Sequence, residues 1–203
     1  METTDWLVTE AGDCLPCEAP EDDDFPAQPY RLYRFLTEVE DILNEYQDDL
    51  ARLRAIRPRV RRLLVSSDWL QGEYRDPDPK TGWSVVMLYD EPDFPLTVQM
   101  VAWSPGCVSP IHNHGTWGVV AIVGGEEKNT LWRRSPTSQH PDRLERAGDR
   151  TFVPGEIVSF LPDAIHCVEP LGDEPTITFN LYGKTDFDRR FEFDAIAHTA
   201  RKF

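Results

Sequence analysis

Between residues 83 and 183 the chain breaks into short, β-prone apolar segments: "WSVVMLYD", "LTVQMVAW", "WGVVAIVGG", "NTLWRR", "DRTFVP", "EIVSFLP", "IHCVEP" and "TITFNLYG". They are rich in Val, Ile, Thr and aromatic residues, and Gly, Pro or Asp separates them. Branched and aromatic side chains suit a pleated surface, whereas the intervening residues suit turns. Eight short strands with regularly spaced turns indicate a jelly roll or small barrel rather than a parallel sheet with crossover helices.

The preceding region has a different period. Leu32, Phe35, Leu36, Val39, Ile42, Leu43 and Tyr46 recur at steps of three and four, which places them on one face of a helix. Leu50, Leu53 and Ile56 continue the stripe until Pro58, which has no amide hydrogen for helical bonding, and Val60, Leu63 and Leu64 suggest a further short turn. Residues 1–29 hold nine acidic side chains and no Lys or Arg, and read as a loosely held arm. The expected organisation is therefore an arm (1–29), a helical segment packed on the barrel (30–66), the barrel (67–194) and a tail (195–203).

The net charge of −15, concentrated in that arm, opposes binding to nucleic acid or to an anionic membrane, so neither is an expected partner. No apolar run approaches a membrane span, and the opening "METTDWLVTE" lacks a basic stretch followed by an apolar one. A soluble cytoplasmic protein is expected, and nothing in the sequence sets its oligomeric state. Four cysteines in 203 residues do not make a disulfide framework. Cys14 and Cys17 have redox-pair spacing, but their neighbours are acidic and no second pair follows, so no function is assigned to them. Cys107 and Cys167 read as small apolar side chains.

His112 and His114 stand two apart, a spacing that aims both to one face of a strand and turns Asn113 away. Gly106 and Gly125 frame them with turns, and His166 in "LPDAIHCVEP" is the third candidate ligand. His140 and His198 lie in a loop signature and in the tail, and read as solvated.

The spacing Gly106-x5-His112-x-His114-x3-Gly118-x6-Gly125 resembles the first motif of the cupin superfamily, and "GEIVSFLPDAIHCVEP", with Pro162 ahead of His166, resembles the second. The resemblance covers roughly residues 30–194. It implies a mainly β fold, the cupin double-stranded β-helix (a small jelly-roll barrel) with N-terminal helices, holding one metal on His112, His114 and His166. The usual first motif has glutamate where this chain has Gly118. Three neutral histidines then remain, as in the thiol dioxygenases typified by cysteine dioxygenase. Bacterial relatives acting on 3-mercaptopropionate also carry glycine there, in "WG" as in Trp117-Gly118, so the cysteine–tyrosine crosslink of the animal enzymes is not expected.

This resemblance implies Fe(II) as cofactor, with a small-molecule thiol and O2 as partners and a sulfinic acid as product. Three imidazoles leave up to three open octahedral positions, although zinc would satisfy three histidines equally well. "TFNLYG" is similar to the family's Ser-x-His-x-Tyr strand, which makes Thr178, Asn180 and Tyr182 the catalytic candidates. Asn180 departs from the family's histidine: an amide can bond the tyrosine hydroxyl but exchanges no proton near neutral pH. Arg190 in "DRRFEFD" resembles an arginine that binds substrate carboxylate, a task suited to a planar guanidinium, and Arg189, Arg133 and Arg134 are less well placed. The alternatives are another metal-dependent cupin enzyme (isomerase, decarboxylase or carbon-bond dioxygenase) or a non-catalytic ligand-binding cupin.

Overall fold

The computed structural model describes residues 4–17 and 30–203. Two strands, β1 (Asp5–Val8) and β2 (Cys14–Cys17), precede two helices, α1 (Leu32–Glu45) and α2 (Asp49–Val65). Eleven strands follow: β3 (Trp83–Glu91), β4 (Phe94–Trp103), β5 (Ile111–His112), β6 (Gly118–Gly124), β7 (Glu126–Arg134), β8 (Leu144–Phe152), β9 (Ile157–Phe160), β10 (Ile165–Leu171), β11 (Thr176–Tyr182), β12 (Phe191–Asp194) and β13 (Thr199–Lys202).

The pairings are nested. The innermost, β7 with β8, is enclosed by β6 with β9, then β5 with β10, then β4 with β11, all antiparallel. Successive pairs fall alternately in a seven-stranded sheet (β2-β1-β9-β6-β11-β4-β3) and a six-stranded sheet (β13-β12-β5-β10-β7-β8). An antiparallel ribbon coiled in this way is a double-stranded β-helix, the jelly-roll barrel with N-terminal helices that the sequence predicts.

The outward face of the central strands of the seven-stranded sheet is apolar because the helices cover it. Phe179 and Leu181 of β11, with Val98 and Met100 of β4, pack outward in one core with Phe35, Val39, Leu53, Ile56, Val60 and Leu63 of the helices. The Phe35 ring meets Phe179 edge-on at 6.2 Å. The alternate residues face the interior, part of which is filled from both sheets by Val120, Val158, Phe160, Leu131 and Phe152.

Three expectations are corrected. First, α2 runs unbroken through Pro58. A proline in a helix interior costs roughly 3 kcal/mol, and burial of Leu53, Ile56, Val60 and Leu63, at roughly 1.5–3 kcal/mol each, outweighs it. The Asp48 carboxylate also caps this helix, accepting from the Ala51 amide at 2.9 Å. Second, residues 5–17 are not a loose arm. β1 pairs in parallel with β9, Val8 is fully buried, and the buried Asp5 carboxylate binds Arg61 of α2. Residues 18–29 of the expected arm lie outside the described residues. Third, the expected tail contains β13, which pairs with β12. Among the described residues no helix is long and apolar enough to cross a membrane.

Candidate metal centre

β5 is only two residues long, yet it lies between β10 and β12, and its His112 stands directly opposite His166 of β10. Opposite residues on paired strands share a face, so both imidazoles enter the barrel. His114 lies beyond the end of the strand, and the turn after it, rather than strand alternation, aims its ring. In that turn Gly115 has φ +62°, and a Cβ there would stand 2.6 Å from the Asp186 carbonyl oxygen. Asn113 points away from the histidines, as expected, and pins the turn. Its Nδ2 donates to the Arg189 carbonyl at 2.8 Å and its Oδ1 accepts from the Phe191 amide at 2.7 Å.

The three rings converge. Their centres are 5.1 Å (His112–His114), 4.7 Å (His112–His166) and 5.0 Å (His114–His166) apart, and one nitrogen of each lies within 4.8 Å of the others. Hydrogen bonds set two of the tautomers. His112 Nδ1 is 2.9 Å from the Pro110 carbonyl, an acceptor only, so it carries the proton and its Nε2 lone pair is free. His166 Nδ1 is 2.6 Å from Asn129 Oδ1, and Asn129 Nδ2 donates to Glu127 Oε1 at 3.0 Å. The Nε2 lone pair of His166 then faces His114 Nε2 at 3.3 Å.

Burial lowers the pKa of all three histidines, and the neighbouring rings lower those of His114 and His166 further. Neutral imidazoles whose lone pairs face a common point fit a divalent cation. Among the described residues no carboxylate joins the cluster.

Position 118, on the next strand, leaves no room for a side chain. Gly118 of β6 is opposite Tyr182 of β11, and a Cβ at position 118 would fall 2.8 Å from two carbons of the Tyr182 ring. That ring also stands 4.9 Å from His114. The Tyr182 hydroxyl donates to Asn180 Oδ1 at 3.1 Å, and Asn180 Nδ2 donates to Thr178 Oγ1 at 2.8 Å. Burial, then the nearby Glu127, raises the pKa of Tyr182, which keeps it a neutral phenol. Thr178, Asn180 and Tyr182 thus form one bonded row on the inner face of β11, lining the same cavity as the three histidines.

No family model matches the sequence. Among solved structures the chain is similar to an oxalate oxidase in complex with the substrate analogue glycolate (14% identity, TM-score 0.40, 56% of this chain and 56% of that one). It is also similar to a cupin domain of an XRE-family transcriptional regulator from Enterobacter cloacae (18% identity, TM-score 0.39, 52% of this chain and 99% of that one). A cupin-superfamily protein from Desulfitobacterium hafniense is similar at 12% identity and TM-score 0.40, over 55% of this chain and 83% of that one. The nested strand pairing by itself is that of a double-stranded β-helix. The match spans little more than half the length of the oxalate oxidase chains.

Within this barrel, Arg190 lines the cavity, its guanidinium stacked at 4.3 Å on the Phe203 ring. Its Nε is buried without a hydrogen-bond partner among the described residues. The other arginine candidates are engaged elsewhere: Arg189 with Asp163, Arg133 with Glu145 and Arg134 with Asp142. Glu127 is the residue that the motifs miss. It is 3% exposed, lines the cavity and is pushed up to about 7 by burial, against the opposing pull of the Asn129 amide. Its signal was the alternation of Glu127, Asn129 and Leu131 toward the interior along β7.

The remaining sequence candidates lie outside this cavity. Cys14 and Cys17 occupy the two ends of β2 and are free thiols. Three extended residues span roughly 10 Å, beyond the reach of a disulfide. Burial pushes Cys14 up to about 11 and raises Cys17. Cys107 and Cys167 are half-buried, and neither joins the histidine cluster. His140 and His198 sit 4.8 Å apart, His140 exposed and His198 half-buried.

Proposed function

We propose that this protein is an Fe(II)-dependent dioxygenase that adds both atoms of O2 to the sulfur of a thiol, giving a sulfinic acid. The observation that carries this reading is the ligand set: three neutral imidazoles and no carboxylate, with the Tyr182 ring filling the space beside Gly118. A dication held by neutral ligands keeps its full charge and favours an anionic partner such as a thiolate. When bound, Fe(II) supplies open positions for the thiolate and for O2.

The chain's own groups have defined tasks. His112, His114 and His166 hold the metal, and the Asn129–Glu127 pair orients His166. Tyr182 lines the same cavity with a neutral hydroxyl held by Asn180. Arg190 offers its unpartnered Nε to a substrate carboxylate. The reaction balances as RSH + O2 → RSO2H: sulfur gives up four electrons and O2 accepts them, with no external reductant.

Glu127 favours a second reading, a metal-dependent cupin isomerase or decarboxylase, because a buried carboxyl poised near neutrality suits proton transfer. The test is to load the protein anaerobically with Fe(II) and follow O2 uptake with cysteine, 3-mercaptopropionate, cysteamine and bulkier thiols. The expected result is one equivalent of O2 per sulfinate formed, lost in His166→Ala. No uptake with any thiol, small or bulky, overturns the dioxygenase reading.

A further inference from the structure

The cavity at the histidines has a volume of about 670 Å³, within the roughly 300–1,000 Å³ of sites that bury drug-sized ligands. A three-carbon thiol would leave most of it empty. The unused part has a definite character. On paired strands β3 and β4, Trp83 stands opposite Trp103, Val85 opposite Val101 and Met87 opposite Gln99, and all six line the cavity. The two indoles are 6.0 Å apart and tilted by 35°, which makes a continuous aromatic surface along the wall.

This wall is left open. β3 is an edge strand of its sheet, and Trp83 is 42% and Met87 49% exposed. Phe187 and Phe203, also exposed, line the same cavity. Large apolar side chains gathered at the mouth of one concavity mark a binding surface rather than scattered surface residues. The cavity is continuous with the histidine cluster, so its occupant is the ligand that reaches the metal.

Resting on the thiol dioxygenase reading for the reacting end, we infer that the substrate carries a flat apolar body, of the size of an aromatic ring, that lies against Trp83 and Trp103. Its thiol reaches the histidine cluster and a carboxylate, where present, meets Arg190. The bulk of the molecule, rather than its charge, sets specificity. Trp83 and Met87 are then specificity-determining residues.

The test compares 3-mercaptopropionate with its 2-benzyl derivative, using Fe(II)-loaded protein. Anaerobic calorimetry measures binding and O2 uptake measures reaction. The benzyl compound is expected to bind about tenfold more tightly, the scale of one aromatic contact plus its buried area. Trp83→Ala brings the affinities of the two thiols together, whereas Trp83→Phe keeps most of the preference. Because Trp83 is an exposed edge residue, both variants are expected to fold, and circular dichroism checks this. Equal binding of the two thiols, or a preference that Trp83→Ala does not touch, overturns the inference even if 3-mercaptopropionate is oxidised. A Trp83-dependent preference upholds the ligand class, and if neither these nor the other thiols of the panel support O2 uptake, it is the dioxygenase reading that falls instead. If sedimentation shows a dimer that Trp83→Ala disrupts, the wall serves a second copy of the chain and the inference falls.

Discussion

The Tyr182 ring occupies the space that a side chain at position 118 would need, with two of its carbons 2.8 Å from where a Cβ would stand. The two residues are opposite each other on β6 and β11, so neither can retreat along its strand without breaking register. Gly118 and Tyr182 are therefore one feature. Gly118→Ala is expected to destabilise the protein by about 1–3 kcal/mol, the usual range for overpacking. In a Tyr182→Ala background the same substitution should cost far less, and denaturant titration of the four proteins measures that coupling. Additive effects would show that the ring and the glycine do not compete for space.

Metal binding should be sensitive to a residue that touches no metal. Asn129 Oδ1 accepts a hydrogen bond from His166 Nδ1, and its Nδ2 donates one to Glu127 Oε1. Without it the His166 ring loses the bond that fixes its tautomer and orientation. Asn129→Ala is expected to weaken divalent-metal affinity by about 10–100-fold, while His166→Ala abolishes binding at the cluster. Calorimetric titration of the chelator-treated protein reads both. In the parent, metal at a hundredfold excess over Kd should stabilise the fold by about 2.7 kcal/mol, and chelation should reverse this.

Glu127 gives the metal-free protein a specific pH dependence. Its folded pKa, about 7, lies above the ordinary value of 4.5, because burial penalises the charged form. Between these values the folded state binds more protons than the unfolded state, so stability falls as pH rises. The favourable contribution is complete below about 4.5 and lost above about 7. Glu127→Gln keeps an acceptor for Asn129 and removes the charge. The stability difference between variant and parent should widen in the variant's favour across that window, by at most about 3 kcal/mol. A constant difference from pH 4 to 8 would show that Glu127 ionises freely in the fold.

The parts of this molecule that were legible in the sequence are those set by local periodicity. The Leu32–Tyr46 stripe became α1, and all eight apolar segments became strands, because a helical period and β-branched, aromatic runs bounded by turn residues are set by neighbouring residues. His112, His114 and His166 were legible from spacing, although the reason for their convergence was not. β5 ends at His112, and the Gly115 turn and Asn113 contacts aim His114. Glu127 carried no motif. Its importance comes from burial beside Asn129, which only the closure of the barrel creates. The aromatic wall was equally hidden, since Trp83 and Trp103 are twenty residues apart and meet through the β3–β4 register. Composition misled most at the N-terminus, where acidity suggested a loose segment.

The same acidity tests the fold at that point. Asp5 is buried with the Arg57 guanidinium, 4.0 Å away, and with Arg61, so one carboxylate ties β1 to α2. Removing one member of a buried ion pair strands the other charge, which costs roughly 3–5 kcal/mol. Asp5→Ala should therefore destabilise the protein by about that amount. The loss should be local as well, because β1 and β2 form the outer strands of their sheet, beyond β9. Hydrogen exchange is expected to accelerate at the amides of Asp5–Val8 and Cys14–Cys17 while β4 and β11 stay protected. Unchanged exchange in the hairpin, with unchanged stability, would show that apolar contacts of Leu7 and Val8 hold β1 in place without the ion pair.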